Sequence, residues 1–183
     1  MISTRVLIGI TLVIFFVGLS TGFVIFQTSN QSATTIQSHD PTVESNLARF
    51  DKLDFEAFSK QNWELFNQIH SSDVLVVFPN GRETRGIDQH TKDISAMFAY
   101  APDTRVTSHP IKFGSGQWTV STGILEGTFT QPIPFPDGGT ISPTGKSFKV
   151  TMTTIAKWND GRISEEHLFW DNTEIMKQMG LNP

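Results

Sequence analysis

The sequence predicts an α+β domain preceded by one N-terminal transmembrane helix. Three observations carry this expectation. Residues 6–26, VLIGITLVIFFVGLSTGFVIF, run for 21 residues without a charge. From residue 47 onward the apolar pattern reads helix, strand, helix, a run of strands and a short last helix, the order of an α+β fold and not of alternating βαβ units. Asn159-Asp160-Gly161, set between two alternating segments, marks an antiparallel hairpin.

As a helix the N-terminal run would span ~30 Å at ~1.5 Å per residue, the thickness of a bilayer core. Arg5 precedes it and no Lys or Arg follows until Arg49. The positive-inside rule then puts the N-terminus in the cytoplasm and the domain outside, as a single-pass membrane protein. The alternative is a signal peptide, cleaved to release a secreted protein; the long apolar run and the lack of an A-x-A-like site near Gly22–Gln27 favour an anchor over residues 1–27. Residues 28–46 are rich in Ser, Thr, Gln and Asn, too polar to bury a core, and read as a flexible linker. Residues 47–183 are the folded domain.

Within it, Asp54 is placed to cap a helix running to about His70, with Phe55, Phe58, Leu65, Phe66 and Ile69 near helical spacing. A short strand, Val74–Phe78, ends in the turn Pro79-Asn80-Gly81. A second helix follows over Asp88–Tyr100 and stops before Pro102. Strands are expected near Arg105–Phe113, Gln117–Gln131, Ser147–Trp158 and Arg162–Trp170, and a final helix over Thr173–Met179. Pro132–Gly145 holds four prolines and three glycines and reads as a long connection, too Pro-rich for a paired strand.

Composition narrows the chemistry. Net charge is −4, and the 14 Lys and Arg residues form no run or stripe, which argues against a nucleic-acid partner. There is no Cys, so disulfides, thiolate metal sites and a Cys nucleophile are all excluded. No two histidines have H-x-H or H-E-x-x-H spacing, so no metal site is expected. Fifteen Phe and four Trp supply enough rings for an aromatic core or cavity.

The last strand concentrates the polar groups. On alternating geometry Glu165, His167, Phe169 and Asp171 share one face, and Ser164, Glu166, Leu168 and Trp170 the other. Residues four apart on a strand are ~13 Å apart, so His167 and Asp171 do not hydrogen-bond directly. A ring beside a carboxylate raises its basicity, which suits Asp171, next to Phe169, to general-base work. Asp171 also stands where the final helix begins and has capping-box spacing to Glu174, so cap and base both remain open. His109 precedes Pro110 on an expected strand, its ring directed into a cavity or to water. His70, at a helix C-terminus, and His90, in a helix first turn, read as structural or exposed.

Asp160-Gly161-Arg162-Ile163, Glu166, Trp170-Asp171 and Gln178-Met179-Gly180-Leu181, with PNGRETRG at 79–86, GTF at 127–129 and PTGKSF at 143–148, resemble the SnoaL-like polyketide cyclase branch of the NTF2-like superfamily. The resemblance implies a cone-shaped barrel, a curved antiparallel sheet packed against helices around one deep pocket. It implies that Asp171 is the base that removes a proton α to a carbonyl, with no metal or cofactor. His109 and His167 are the candidates to stabilise the enolate oxygen. Phe169, Trp118, Trp170 and Phe66 are the rings expected to line the pocket, and a small hydrophobic or carbonyl-containing molecule is the expected ligand. The competing expectation is a non-catalytic ligand-binding or assembly module with Asp171 as a helix cap, and a third is a homodimer scaffold that uses the outer sheet face.

Overall fold

The computed structural model describes residues 40–134 and 138–181. The expected anchor and most of the expected linker lie outside these residues. Among the described residues no helix is long and apolar enough to cross a membrane.

Helix α1 spans Pro41–Lys52. Asp40 caps it, accepting from the Thr42 N–H at 2.9 Å, and Pro41 occupies the first turn, where its missing N–H costs nothing. Residues 41–46 of the expected linker are therefore helical, with Val43, Asn46 and Phe50 buried along one side. The helix then widens into a π turn, Leu53–Phe58. Asp54 is thus not a helix cap but a buried member of that turn, 7% exposed. Such turns are rare and recur at functional sites. Helix α2 begins afresh at Trp63–Ile69 behind an Asn62 cap.

Strand β1 (His70–Val77) pairs with β2 (Glu83–Arg85), and helix α3 (Ile87–Tyr100) follows. The strand expected over Arg105–Phe113 is broken into β3 (Arg105–Val106) and β4 (Lys112–Ser115), with Pro110 in the gap. Strands β5 (Trp118–Thr128) and β8 (Ser147–Asn159) form the longest ladder, from Trp118↔Lys157 to Thr128↔Ser147. The Pro-rich connection holds a minimal pair, β6 (Ile133–Pro134) with β7 (Thr140–Ile141). Strand β9 (Arg162–Phe169) returns from β8 through Asp160-Gly161, both at positive φ as the tight hairpin requires, and helix α4 spans Asn172–Gln178.

The sheet order is β2-β1-β9-β8-β5-β3, with β4 also on β5. All pairs are antiparallel except β1 and β9, which run parallel. Helix α1 and the π turn cover β3, β4 and β5; α3 lies against β1 and α4 against β8. One sheet face is consequently buried. Leu125, Phe129, Phe148, Val150, Ala156, Trp158, Ile163 and Leu168 supply most of it, and Trp158 donates its indole N–H to Thr119 Oγ1 at 2.8 Å. Fully burying each large side chain contributes about 1.5–3 kcal/mol, so this face dominates the stability of the sheet. At Gly127 a Cβ would lie 2.9 Å from both Phe148 Cζ and Thr104 Oγ1, so any side chain there would force one of them to shift.

Candidate functional site

Between the buried sheet face and the helices lies a cavity of about 40 Å³, room for two or three water molecules. Its lining is mostly apolar: Phe50, Leu53, Phe58, Phe66, Ile94, Val106, Leu125 and Leu168. Met97, Met152 and Trp170 are its only partly exposed lining residues and mark its mouth. Two thioethers there give a wall that can re-pack around a guest larger than the resting space. The polar groups on the wall are Asp54, His90, Thr154 and Glu166.

The first polar pole comes from the π turn. Asp54 Oδ2 lies 2.8 Å from His109 Nε2, and His109 Nδ1 lies 2.7 Å from Asp51 Oδ1. Lys112 Nζ reaches Asp51 Oδ1 at 2.6 Å. Both imidazole nitrogens face carboxylates, so the ring donates from both when it is an imidazolium. Phe55 stacks on that ring at 4.5 Å, and the His109 side chain is 2% exposed. Burial works against the cation, but Asp54 and Asp51 outweigh it and raise the His109 pKa. Burial is also the largest influence on Asp54. It raises that pKa despite His109, and the charge of Glu166 adds to the rise. Asp51 goes the other way: partial burial opposes ionisation, but Lys112 and His109 win and hold it below its ordinary value. The result is a chain of titratable groups running from the cavity wall to the half-exposed Asp51 and Lys112, with a carboxyl at its inner end whose proton affinity burial raises.

The second pole sits on β9, β1 and α3. Glu166 is 3% exposed; its Oε2 accepts from His90 Nε2 at 3.1 Å and its Oε1 lies 3.5 Å from His70 Nε2. His70 Nδ1 is 2.8 Å from the Phe66 carbonyl, so that nitrogen carries the proton and Nε2 is the one facing Glu166. At 3.5 Å the second contact is electrostatic and too long for a hydrogen bond, and His70 Nε2 and His90 Nδ1 are buried without hydrogen-bond partners. Burial holds the His90 pKa down. Burial also opposes ionisation of Glu166, but the two imidazoles overcome it and keep the carboxyl ionised well below its usual range.

The expected site residues are divided by this geometry. His109, Phe66 and Trp170 meet at or beside the cavity. Asp171 stands elsewhere: exposed, its Oδ1 accepting from the Glu174 N–H at 3.0 Å as the cap of α4, and lining an open depression with Phe169, Thr151 and Thr153. His167 projects from the opposite sheet face and bonds Glu165 at 2.8 Å. Phe169 and Trp118 lie on that outer side too, 49% and 38% exposed. The alternation of β9 beyond Ser164 explains the division. Glu166 and Leu168 turn inward, so the Glu165, His167, Phe169 set turns out, and a register shift at Ser164 lets Ile163 turn inward as well. Asp54, His70, His90 and Glu166 are the polar groups that the sequence reading left outside the site. Glu166 shares a face with Leu168 and Trp170, but neither face of the strand is cleanly apolar, so the inward one is not marked locally.

The family model described as SnoaL-like polyketide cyclase matches residues 51–179. No curated protein matches the chain. Among solved structures, a candidate SnoaL-like polyketide cyclase from Jannaschia sp. CCS1 is 19% identical with a TM-score of 0.68, covering 80% of this chain and 99% of its own. IdmH, a candidate polyketide cyclase from Streptomyces antibioticus, is 22% identical with a TM-score of 0.64, covering 74% of this chain and 99% of its own. A protein of ketosteroid isomerase-like fold from Catenulispora acidiphila, in complex with trimethylamine, is 15% identical with a TM-score of 0.58, covering 74% of this chain and 92% of its own. At these identities the likeness to the structures is one of fold.

Proposed function

The chain belongs to the SnoaL-like polyketide cyclase family, and from that premise we propose that its domain binds a small carbonyl compound in the cavity and moves a proton α to the carbonyl. The observation that carries this reading is Asp54: a buried carboxyl on an apolar wall, its affinity for a proton raised by burial, held in place by an imidazole that is itself braced by Asp51. A general base works best when its pKa approaches the working pH, and burial moves Asp54 in that direction. In this scheme the ionised Asp54 takes the α-proton, breaking the C–H bond and leaving an enolate, and His109, braced by Asp51, holds the carboxylate in position for the transfer. The roles first considered for Asp171 and His167 are reassigned, Asp171 to capping α4 and His167 to the outer face. The resting cavity of about 40 Å³ restricts entry to compact ligands unless Met97, Met152 and Trp170 move.

The test is α-proton exchange. A compact ketone such as acetone in D₂O, followed by proton NMR, should lose its α-proton signal faster with the protein present. Asp54→Asn should slow that exchange by about 10²–10⁴-fold while leaving the circular dichroism unchanged, the range general-base removal produces. Equal exchange with and without protein, or an unaffected Asp54→Asn, would sink the proposal.

A second reading rests on a different observation. Phe113, Val120, Ile155 and His167 lie in one cross-strand row on the outer face, flanked by Trp118 and Phe169. Ile111, Phe113, Trp118 and Phe169 are 57%, 58%, 38% and 49% exposed. A patch of this kind suits a second copy of the chain. Light scattering that reports a dimer, reduced to a monomer by Phe113→Glu, would support it; a monomer at all concentrations would remove it. We further propose that residues 6–26 anchor the domain outside the membrane, as their 21 uncharged residues suggest. N-terminal sequencing of the mature protein tests this, since loss of those residues would mean secretion instead.

A further inference from the structure

We propose that His70, His90 and Glu166 form a binding site for a divalent metal ion of the zinc type, with its open coordination positions turned toward the cavity. One ligating atom from each residue lies within 4.8 Å of the others. His90 Nε2 is 3.1 Å from Glu166 Oε2, and His70 Nε2 is 3.5 Å from Oε1. Ligands bound at ~2.0–2.2 Å around a tetrahedral zinc ion stand roughly 3.4 Å from one another, close to these two separations, and a bound ion would replace the proton that His90 Nε2 donates to Glu166. Two imidazoles and one carboxylate are also a donor set that zinc and its neighbours accept in sites that keep a position open.

An independent observation points the same way. His70 is 1% exposed, and its Nε2 has no hydrogen-bond partner although it is aimed at Glu166. Its Nδ1–H is committed to the Phe66 carbonyl. Nε2 therefore faces a carboxylate oxygen with no hydrogen-bond partner, a gap that a metal cation would fill between the two. The Phe66 carbonyl is the kind of outer partner that fixes the tautomer and orientation of a metal-binding imidazole. The three ligands come from β1, α3 and β9, elements that pack on one another, so the site is pre-formed by the fold. His90 and Glu166 also line the cavity, which gives an ion both an entry path and free positions for water or a ligand oxygen. If the proposed function holds, an ion there could polarise the carbonyl whose α-proton Asp54 removes; metal binding itself does not depend on that reading.

The experiment uses the full chain in detergent micelles, stripped with chelator and dialysed against Co²⁺. The expected result is one Co²⁺ retained per chain, with visible d–d absorption that Zn²⁺ abolishes and with hyperfine-shifted imidazole signals from two histidines. Glu166→Gln and His90→Asn should each lose the absorption. Should either variant fail to fold by circular dichroism, the two shifted imidazoles of the unsubstituted chain still identify the ligands. No retained Co²⁺ in the unsubstituted chain overturns the proposal and leaves a Glu–His ion pair shared by a proton. Binding that survives in a folded Glu166→Gln or His90→Asn also overturns it, since the ion would then sit on a surface pair such as Glu165 and His167. α-Proton exchange is read separately, so failure of the metal site and failure of the Asp54 chemistry are distinguishable.

Discussion

Replacing His109 with Gln tests whether the Asp54 pole is held together as its distances indicate. The substitution removes a ring that bonds Asp54 at 2.8 Å and stacks on Phe55 at 4.5 Å. A hydrogen bond to a charged group contributes about 1.5–3 kcal/mol and an aromatic stack about 0.5–1.5 kcal/mol, so the folded unit, residues 38–183, should lose about 2–4 kcal/mol near neutral pH. That corresponds to a fall of roughly 5–15 °C in Tm for a unit of this size. The pH dependence follows from the direction of each shift. Asp54 has a folded pKa above its ordinary 3.8, so the stability it contributes is complete below that value and is lost as pH rises through the folded one. His109 has a folded pKa above 6.5, so its contribution is complete below 6.5 and is lost as pH rises through its own folded value. Removing the imidazole takes away the attraction that restrains the Asp54 pKa, so that pKa climbs further, and within the widened window stability falls by about 1.4 kcal/mol per pH unit. The penalty should therefore be largest just below pH 6.5, where His109 still contributes fully, and shrink as Asp54 takes up its proton in acid. Urea unfolding followed by tryptophan fluorescence at about pH 4, 5.5 and 7 measures it. A loss below about 0.5 kcal/mol, or one that stays constant down the pH series, would refute the pairing, since that is the range of an ordinary surface change.

Two further substitutions have defined outcomes. Asp171→Ala removes the cap of α4 and should cost about 1 kcal/mol in the same urea assay, with α-proton exchange unchanged; a loss of exchange with stability intact would return the carboxylate to a catalytic role. Gly127→Ala puts a methyl 2.9 Å from Phe148 and Thr104, both buried, and should lower stability by about 1–3 kcal/mol; a neutral result would show that the β5–β8 crossing is looser than its contacts imply.

The local parts of this structure were legible from sequence because local chemistry sets them. Asn159-Asp160-Gly161 specified the hairpin, and the two faces of β9 were correctly separated by alternation. Which face turned inward was not local information. It is fixed by β1 pairing parallel to β9 and by the helices over that side, neither of which leaves a mark near Glu166. Asp54 misled for a related reason. Before an apolar helical pattern an Asp reads as a cap, and only the extension back to Pro41, where Asp40 already does the capping, turns it into a buried group. His109 was recognisable as a ring that could enter a cavity, but its partners lie 55 and 58 positions earlier. His70 and His90 each had an ordinary surface or helix-end explanation in isolation, and only tertiary structure sets both against one carboxylate.

The parallel seam between β1 and β9 has a consequence for biosynthesis. The segments it joins are separated by some ninety positions, as the Ser71–Ile163 bond shows with its separation of 92. Joining them requires almost the whole domain to have emerged, so a nascent chain that has released β1 and α3 carries two imidazoles still waiting for their glutamate. Contacts of such long sequence separation form slowly. The second polar pole is therefore assembled only when β9 docks, and a chain arrested before residue 162 has α1, α2, α3 and the Asp54–His109 pole but not the glutamate that joins the two imidazoles.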